Sequence, residues 1–316
     1  MRKKTGRRGN PYAGLIQLLN RRYHAEFVRA ELLQNELDGI RRSRLGRGAE
    51  WLRQRLRRVF PHPAADVPRI TEQSQAYRGC PRPVPDARVS IIIPFRDQPE
   101  LLRNCVRSLR GSTFGNVEIV LVDNESADPR SHRLLARLVV RRDFRRTTCR
   151  GPFNFSRLCN AGAAVASGDH LLFLNNDTEV LSRDWLQRML VLAADPAVGV
   201  VGATLLYPDR TIQHAGLFPR SDGQWVHPHR LHLANSHAQL REVRTVPAVT
   251  AACLLIRRAV FDEVGGFDER FPVTMNDVDL CRRVRAGGRL VVISPDARLI
   301  HYEGLSRGFA VDVPGA

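Results

Sequence analysis

Val89-Ser90-Ile91-Ile92-Ile93-Pro94 and, further on, Val117-Glu118-Ile119-Val120-Leu121-Val122-Asp123 decide how this chain folds. Each is a short apolar run rich in β-branched residues and bounded by turn formers, the pattern of a strand buried on both faces. Between and after them the spacing predicts helices over Pro99–Leu109 and Pro129–Val139, the second with proline in its first turn, where a missing N–H costs nothing. Outward from there the alternation continues. A helix is expected over Asn154–Ala166, with Leu158, Ala161 and Val165 on one face. A strand follows at His170–Leu174, then a helix over Asp184–Ala194 and a strand near Val198–Leu206. This order predicts an α/β fold, a parallel sheet with helices on both faces.

In such sheets ligands bind beyond the carboxyl ends of the strands. Three of the expected strands end in polar clusters: Arg96-Asp97, Asp123-Asn124-Glu125 and Asn175-Asn176-Asp177. Asp and Asn also favour turns and helix starts, but three clusters on successive strands point to a site. The first strand leads into Pro94-Phe95-Arg96-Asp97-Gln98-Pro99 without the glycines of a dinucleotide fold, and no Walker loop is present. Bound phosphates would therefore be neutralised by a divalent cation on carboxylate and amide oxygens, with Asp177 the best single candidate ligand.

At these residues, and with Asn154-Phe155-Ser156, Gln213-His214-Ala215-Gly216, Gly265-Gly266-Phe267-Asp268-Glu269, Asn276-Asp277-Val278-Asp279-Leu280 and His301-Tyr302-Glu303 following in order, the chain from Val89 to about Gly308 resembles family 2 glycosyltransferases of the bacterial rhamnosyltransferase-like subgroup. The resemblance implies a GT-A fold: an αβα sandwich with a mostly parallel central sheet, here over residues 87–316, after a basic helical extension and proline-rich linker over 1–86. It also implies an inverting transfer from a nucleotide-diphosphate sugar to a saccharide or lipid-linked saccharide. By that resemblance Pro94, Asp97, Asp123, Asn124, Asn160, Gly162, Asn175 and Asn176 bind the donor. Asp177 and His301 hold Mn²⁺ or Mg²⁺, and Asp277 is the general base with Asp279 as second choice. Trp225 and Asp268 are candidate acceptor contacts.

The chemistry agrees with that division. Negative charge develops on the departing diphosphate, where a cation stabilises it. The sugar passes through an oxocarbenium-like state, and the acceptor hydroxyl must lose a proton to a nearby carboxylate. Inversion puts base and diphosphate on opposite faces of the sugar, so the two acids should come from separate segments, as Asp177 and Asp277 do. Two positions depart from the common pattern. Asn175 stands where the metal motif usually begins with an acid, and Asn276 stands before the base where many relatives have Glu.

Each assignment has a plainer counterpart. Asp177 would otherwise cap a helix, Asp277 would face solvent, and Asp268 would serve a turn. Trp225 is a sugar-stacking candidate. His227, His229, His232 and His237 lie in an irregular insertion between Pro208 and Pro247, for which an exposed loop is expected rather than a metal cluster.

The 316 residues carry a formal net charge of +17, concentrated at the start: residues 1–60 hold 16 Lys/Arg against 5 Asp/Glu. Helical periodicity runs over Tyr12–Leu37 and Ala49–Phe60. The second places Trp51 and Phe60 opposite Arg53, Arg57 and Arg58, which suits either an anionic membrane surface or packing on a protein face. Six scattered cysteines without a CxxC pair suit a reducing cytosol. Neither a secretory signal nor a membrane-spanning run is expected, so the expected location is cytoplasmic or peripheral at the inner face of the plasma membrane. A nucleic-acid-binding protein and a catalytically inactive scaffold of the same fold are the alternatives. No helix-turn-helix, zinc-finger or aromatic RNA-binding pattern supports the former, so no specific nucleic acid is expected as a partner.

Overall fold

The computed structural model describes residues 74–79, 87–234 and 238–303. By its contacts the chain divides between Val67 and Pro68, and all the described residues belong to the second unit. The helices expected at Tyr12–Leu37 and Ala49–Phe60, and the boundary set at residue 86, lie outside the described residues.

The alternation expected from sequence is present. β2 (Val89–Phe95) leads to α1 (Pro99–Leu109), β3 (Val117–Asp123) to α2 (Pro129–Leu138) and the edge strand β4 (Phe144–Thr148), and α3 (Phe155–Val165) to β5 (His170–Leu174). After the short β6 (Thr178–Val180) come α4 (Trp185–Ala193) and β7 (Val198–Leu206). Helix starts follow their caps: the Asp128 side chain accepts the Arg130 N–H, and Asn154 Oδ1 accepts the Arg157 N–H at 3.0 Å.

The remaining elements are β1 (Gln75–Ala76), β8 (Ile212–His214), β9 (Phe218–Pro219), β10 (Trp225–Val226), a 3₁₀ turn at Ala238–Arg241, β11 (Arg244–Thr245), β12 (Cys253–Arg257), α5 (Arg258–Glu263), α6 (Asn276–Ala286) and β13 (Leu290–His301). The main sheet runs β1-β11-β13-β7-β12-β5-β2-β3-β4, with β6 on β13 and β8 on β7. The β5-β2-β3-β4 stretch is parallel and so is β13 with β7, whereas β12 runs antiparallel between β5 and β7. β1 adds an edge from residues ahead of the expected domain start at 87.

The pleat sorts the core into two layers, because neighbouring residues of a strand face opposite sides. Ile91, Ile93, Leu121, Leu172 and Leu174 face Leu102, Leu135, Trp185 and Met189 of α1, α2 and α4. Ile92, Val120, Val122, Leu171 and Phe173 face Leu158, Phe261, Val278 and Cys281 of α3, α5 and α6. That is the αβα sandwich. It leaves the strand ends and the N-termini of α1 and α6 free to shape a cleft.

Candidate active site

At the carboxyl ends of β2 and β5 lies a cavity of about 620 Å³, lined among others by Pro94, Arg96, Asp97, Asn175, Asn176, Thr250, Asn276 and Asp277. Five of the residues expected to bind or react are thus brought to one wall. The turn from β2 into α1 is unusual: Asp97 and Gln98 both have left-handed backbone, with φ 52° and 51°. This sparsely populated conformation needs support from its surroundings. Asp97 Oδ1 accepts the N–H groups of Ala127 and Asp128 at 2.8 and 2.7 Å, and its own N–H donates to Ser126 Oγ at 2.8 Å.

Asp123 and Asn124 do not line the cavity. Asp123 accepts the Ser126 N–H at 2.9 Å and pairs with Arg146 at 2.9 Å. Asn124 Nδ2 donates to the carbonyls of Cys149 and Gly151. Asn160 and Gly162 lie in the middle of α3, not at a helix start. Asn160 is committed to the 267–269 turn: its Oδ1 accepts the Phe267 N–H, and its Nδ2 donates to the Phe267 carbonyl and Glu269 Oε1. Gly162 is a packing position: a Cβ there would come within 2.4 Å of Ile92 Cγ2 and 2.8 Å of Val122 Cγ2.

The acceptor candidates also move. Asp268 forms a forked pair with the exposed Arg270, whose hydrogen bonds hold its carboxyl down to about 2. Trp225 is half-buried in the β9–β10 hairpin and packs on the core. Neither lines the cavity. The 208–247 insertion, expected as an exposed loop, is buried in part. His214 is buried and meets His227 edge-on, with Nδ1 atoms 3.0 Å apart, and His229 is buried beside His232. His237 lies outside the described residues.

Asp277 sits in the first turn of α6, after Met275, another left-handed residue at φ 66°. Its Oδ1 accepts the Val278 N–H at 2.8 Å, its Oδ2 accepts the Ala251 N–H at 3.3 Å, and the Thr250 hydroxyl also bonds it. Desolvation in the cavity wall nevertheless raises its pKa above the ordinary carboxylate value. Asp279, the second choice, is taken by Arg283 one turn on, at 2.6 Å. Behind Asp277, His214 Nε2 accepts the Thr250 N–H at 3.3 Å, and burial drives the His214 pKa well below the ordinary value.

Asp177 is buried next to the cavity-lining Asn176 and caps no helix among the described residues; the residue that precedes α4 is Asp184. Its Oδ1 lies 3.2 Å from His301 Nε2. The register explains the meeting: β6 pairs antiparallel with β13, setting His301 opposite Thr178. One buried carboxylate and one imidazole fit the small set of protein ligands that Mg²⁺ or Mn²⁺ takes when phosphate oxygens and water complete the shell. Among the described residues no group of three or more His, Cys, Asp or Glu side chains converges as a metal cage. Two cavity-lining amides, Asn176 Nδ2 and Asn276 Nδ2, are buried and have no hydrogen-bond partner among the described residues. Such donors can bond water or a ligand oxygen in the cavity.

Compared with known proteins, the family model described as Glycosyl transferase family 2 matches residues 90–265. The chain belongs to glycosyl transferase family 2. The O-antigen biosynthesis protein RfbC of Myxococcus xanthus is 43% identical over 225 residues, which make up 70% of this chain and 18% of that protein. The Pre-mycofactocin glycosyltransferase of Mycobacterium tuberculosis (strain CDC 1551 / Oshkosh) is 30% identical over 239 residues, 72% of this chain and 46% of that protein. This family 2 chain therefore spans less than half the length of either relative. The mannosyltransferase PcManGT from Pyrobaculum calidifontis, solved with GDP-Man and Mn²⁺, shares the fold with a TM-score of 0.56 at 17% identity, over 76% of this chain and 64% of that one. The family match includes Asp97, Asp123 and Asp177. Asp277 and His301 come from the segment after it, which α6 and β13 carry back to the same end of the sheet.

Proposed function

We propose that this chain transfers a hexosyl or deoxyhexosyl group, with inversion, from a nucleoside-diphosphate sugar to a hydroxyl of a saccharide or lipid-linked saccharide in bacterial surface polysaccharide assembly. The observation that carries the reading is the single cavity on which Asn175, Asn176, Asn276 and Asp277 converge, with the Asp177–His301 pair directly behind Asn175 and Asn176. The relative named for O-antigen biosynthesis supports the polysaccharide setting.

The residues divide the work as follows. Pro94 and Asp97 shape the wall at the end of β2 for the nucleoside. The free amide donors of Asn176 and Asn276 supply hydrogen bonds to donor oxygens. Asp177 and His301 would hold a divalent cation, which would neutralise charge on the diphosphate. Asp277 takes the acceptor proton on a carboxylate oxygen as that acceptor oxygen bonds to the anomeric carbon. The carbon–oxygen bond to the diphosphate breaks, and its electron pair leaves with the diphosphate. A raised pKa makes Asp277 a better proton acceptor than an ordinary aspartate, provided the working pH keeps it ionised.

No helix among the described residues is long and apolar enough to cross a membrane. We place the chain at the cytoplasmic face, with the Ala49–Phe60 arginines on anionic lipid. Flotation with anionic liposomes tests that placement, and an intact chain that stays unbound contradicts it. Calorimetry with UDP, dTDP and GDP, each with and without Mn²⁺ or Mg²⁺, tests the enzymatic reading. One nucleotide should bind more tightly when the metal is present; no binding by any of them would contradict the reading.

A further inference from the structure

Gln213 belongs to β8 and is buried, yet no step above uses it. Its amide can face only one way. Nε2 lies 3.3 Å from the His301 carbonyl and 3.3 Å from Glu303 Oε2, two groups that only accept. Glu303 is itself anchored by Arg230 Nη2 at 3.0 Å. A flipped amide would set oxygen against both acceptors. Oε1 is therefore the atom 2.7 Å from His301 Nδ1, and that ring nitrogen must carry the proton. Asn175 Nδ2 lies 3.3 Å from His301 Nε2, a donor against a lone pair. The Asp177 oxygen 3.2 Å from that lone pair makes an acceptor–acceptor contact in a neutral ring, which a cation between them would relieve.

We propose that Gln213 is a positioning residue of the cation site: it fixes the His301 proton on Nδ1 and so presents the Nε2 lone pair toward Asp177. The inference rests on the reading that Asp177 and His301 hold the cation. Outer partners of ligating histidines fix tautomer and ring orientation, and losing one typically weakens metal binding about 10–100-fold.

The test has two arms on the full chain. Long-range ¹H–¹⁵N correlation of metal-free, histidine-labelled protein, with His301 assigned from the His301→Ala spectrum, reads the tautomer. Electron paramagnetic resonance of free Mn²⁺, in the presence of UDP or GDP, reads uptake. The wild-type ring should be protonated on Nδ1. Gln213→Leu should shift it toward Nε2–H and weaken Mn²⁺ uptake about 10–100-fold. A wild-type ring protonated on Nε2 overturns the inference even if the variant fails to fold. So does a Gln213→Leu protein with unchanged tautomer and Mn²⁺ affinity within about twofold, while Asp177→Ala still loses binding. Equal uptake by wild type and Asp177→Ala instead sinks the cation reading itself, and the inference with it.

Discussion

The Asn175 N–H donates to the carbonyl of Ala252 across 3.1 Å, and this bond joins the two sides of the site. Asn175 begins the segment that carries Asp177. Ala252 follows Thr250 and Ala251, the residues that hold the Asp277 carboxylate. The two meet because β12 runs antiparallel beside β5, pairing Cys253 with Leu174. The cation side and the proton-accepting side are thus set against each other by one strand pairing.

Asp277→Asn should leave nucleotide affinity intact and lower transfer about 10²–10⁴-fold, the usual worth of a general base. Because burial raises the Asp277 pKa, the acid limb of kcat/KM should fall at a pH above about 4, where an ordinary aspartate titrates. A pH profile of wild-type turnover checks the limb. Near-normal turnover by Asp277→Asn would remove Asp277 as the base.

The histidine pair makes stability fall in acid. His214 is held well below the ordinary histidine value by burial, and His227 is brought to about 4, again chiefly by burial. The unfolded chain therefore takes up these protons first, from about pH 6.5 downward. Stability should be full above that pH and drop as the pH falls toward about 4, by up to about 1.4 kcal/mol per pH unit for each proton. Urea midpoints measured across this range should decline with pH, and His227→Gln should flatten the slope. A wild-type profile that is already flat would contradict a pair held neutral by desolvation.

Gly162→Ala should destabilise the fold by about 1–3 kcal/mol, the cost of pushing a methyl into a packed interface, since Ile92 and Val122 occupy the space. Nucleotide affinity of the folded variant should not change. Denaturant unfolding and calorimetry together decide the matter; a stable variant with weakened nucleotide binding would restore Gly162 to the ligand.

How much of this was legible in the sequence depends on the strand. β2, β3, β5 and β7 are apolar runs bounded by turn formers, and their bounds could be read almost residue by residue. β4 was hidden because only Phe144 of its five residues is apolar, as suits an edge strand. β12 sits in a long apolar stretch that periodicity cannot assign to strand or helix. β13 carries Pro295 inside it, a residue that argues against a strand; the structure takes it up in a register shift between Ser294 and Arg298. The site followed the same division. Strand-end polar clusters marked Asp97 and Asn175–Asp177. The support of Asp277 by Thr250 and Ala251, the burial of His214 against His227, and the clasp of Asn160 on Phe267 all depend on pairings between distant segments. No local pattern announces these.

The most direct test of the account is a calorimetric titration of wild type and Asp177→Ala with the preferred nucleoside diphosphate, with and without Mn²⁺. The account predicts that Mn²⁺ tightens nucleotide binding to the wild type and that Asp177→Ala loses this enhancement. Metal-enhanced binding that survives unchanged in Asp177→Ala would contradict it.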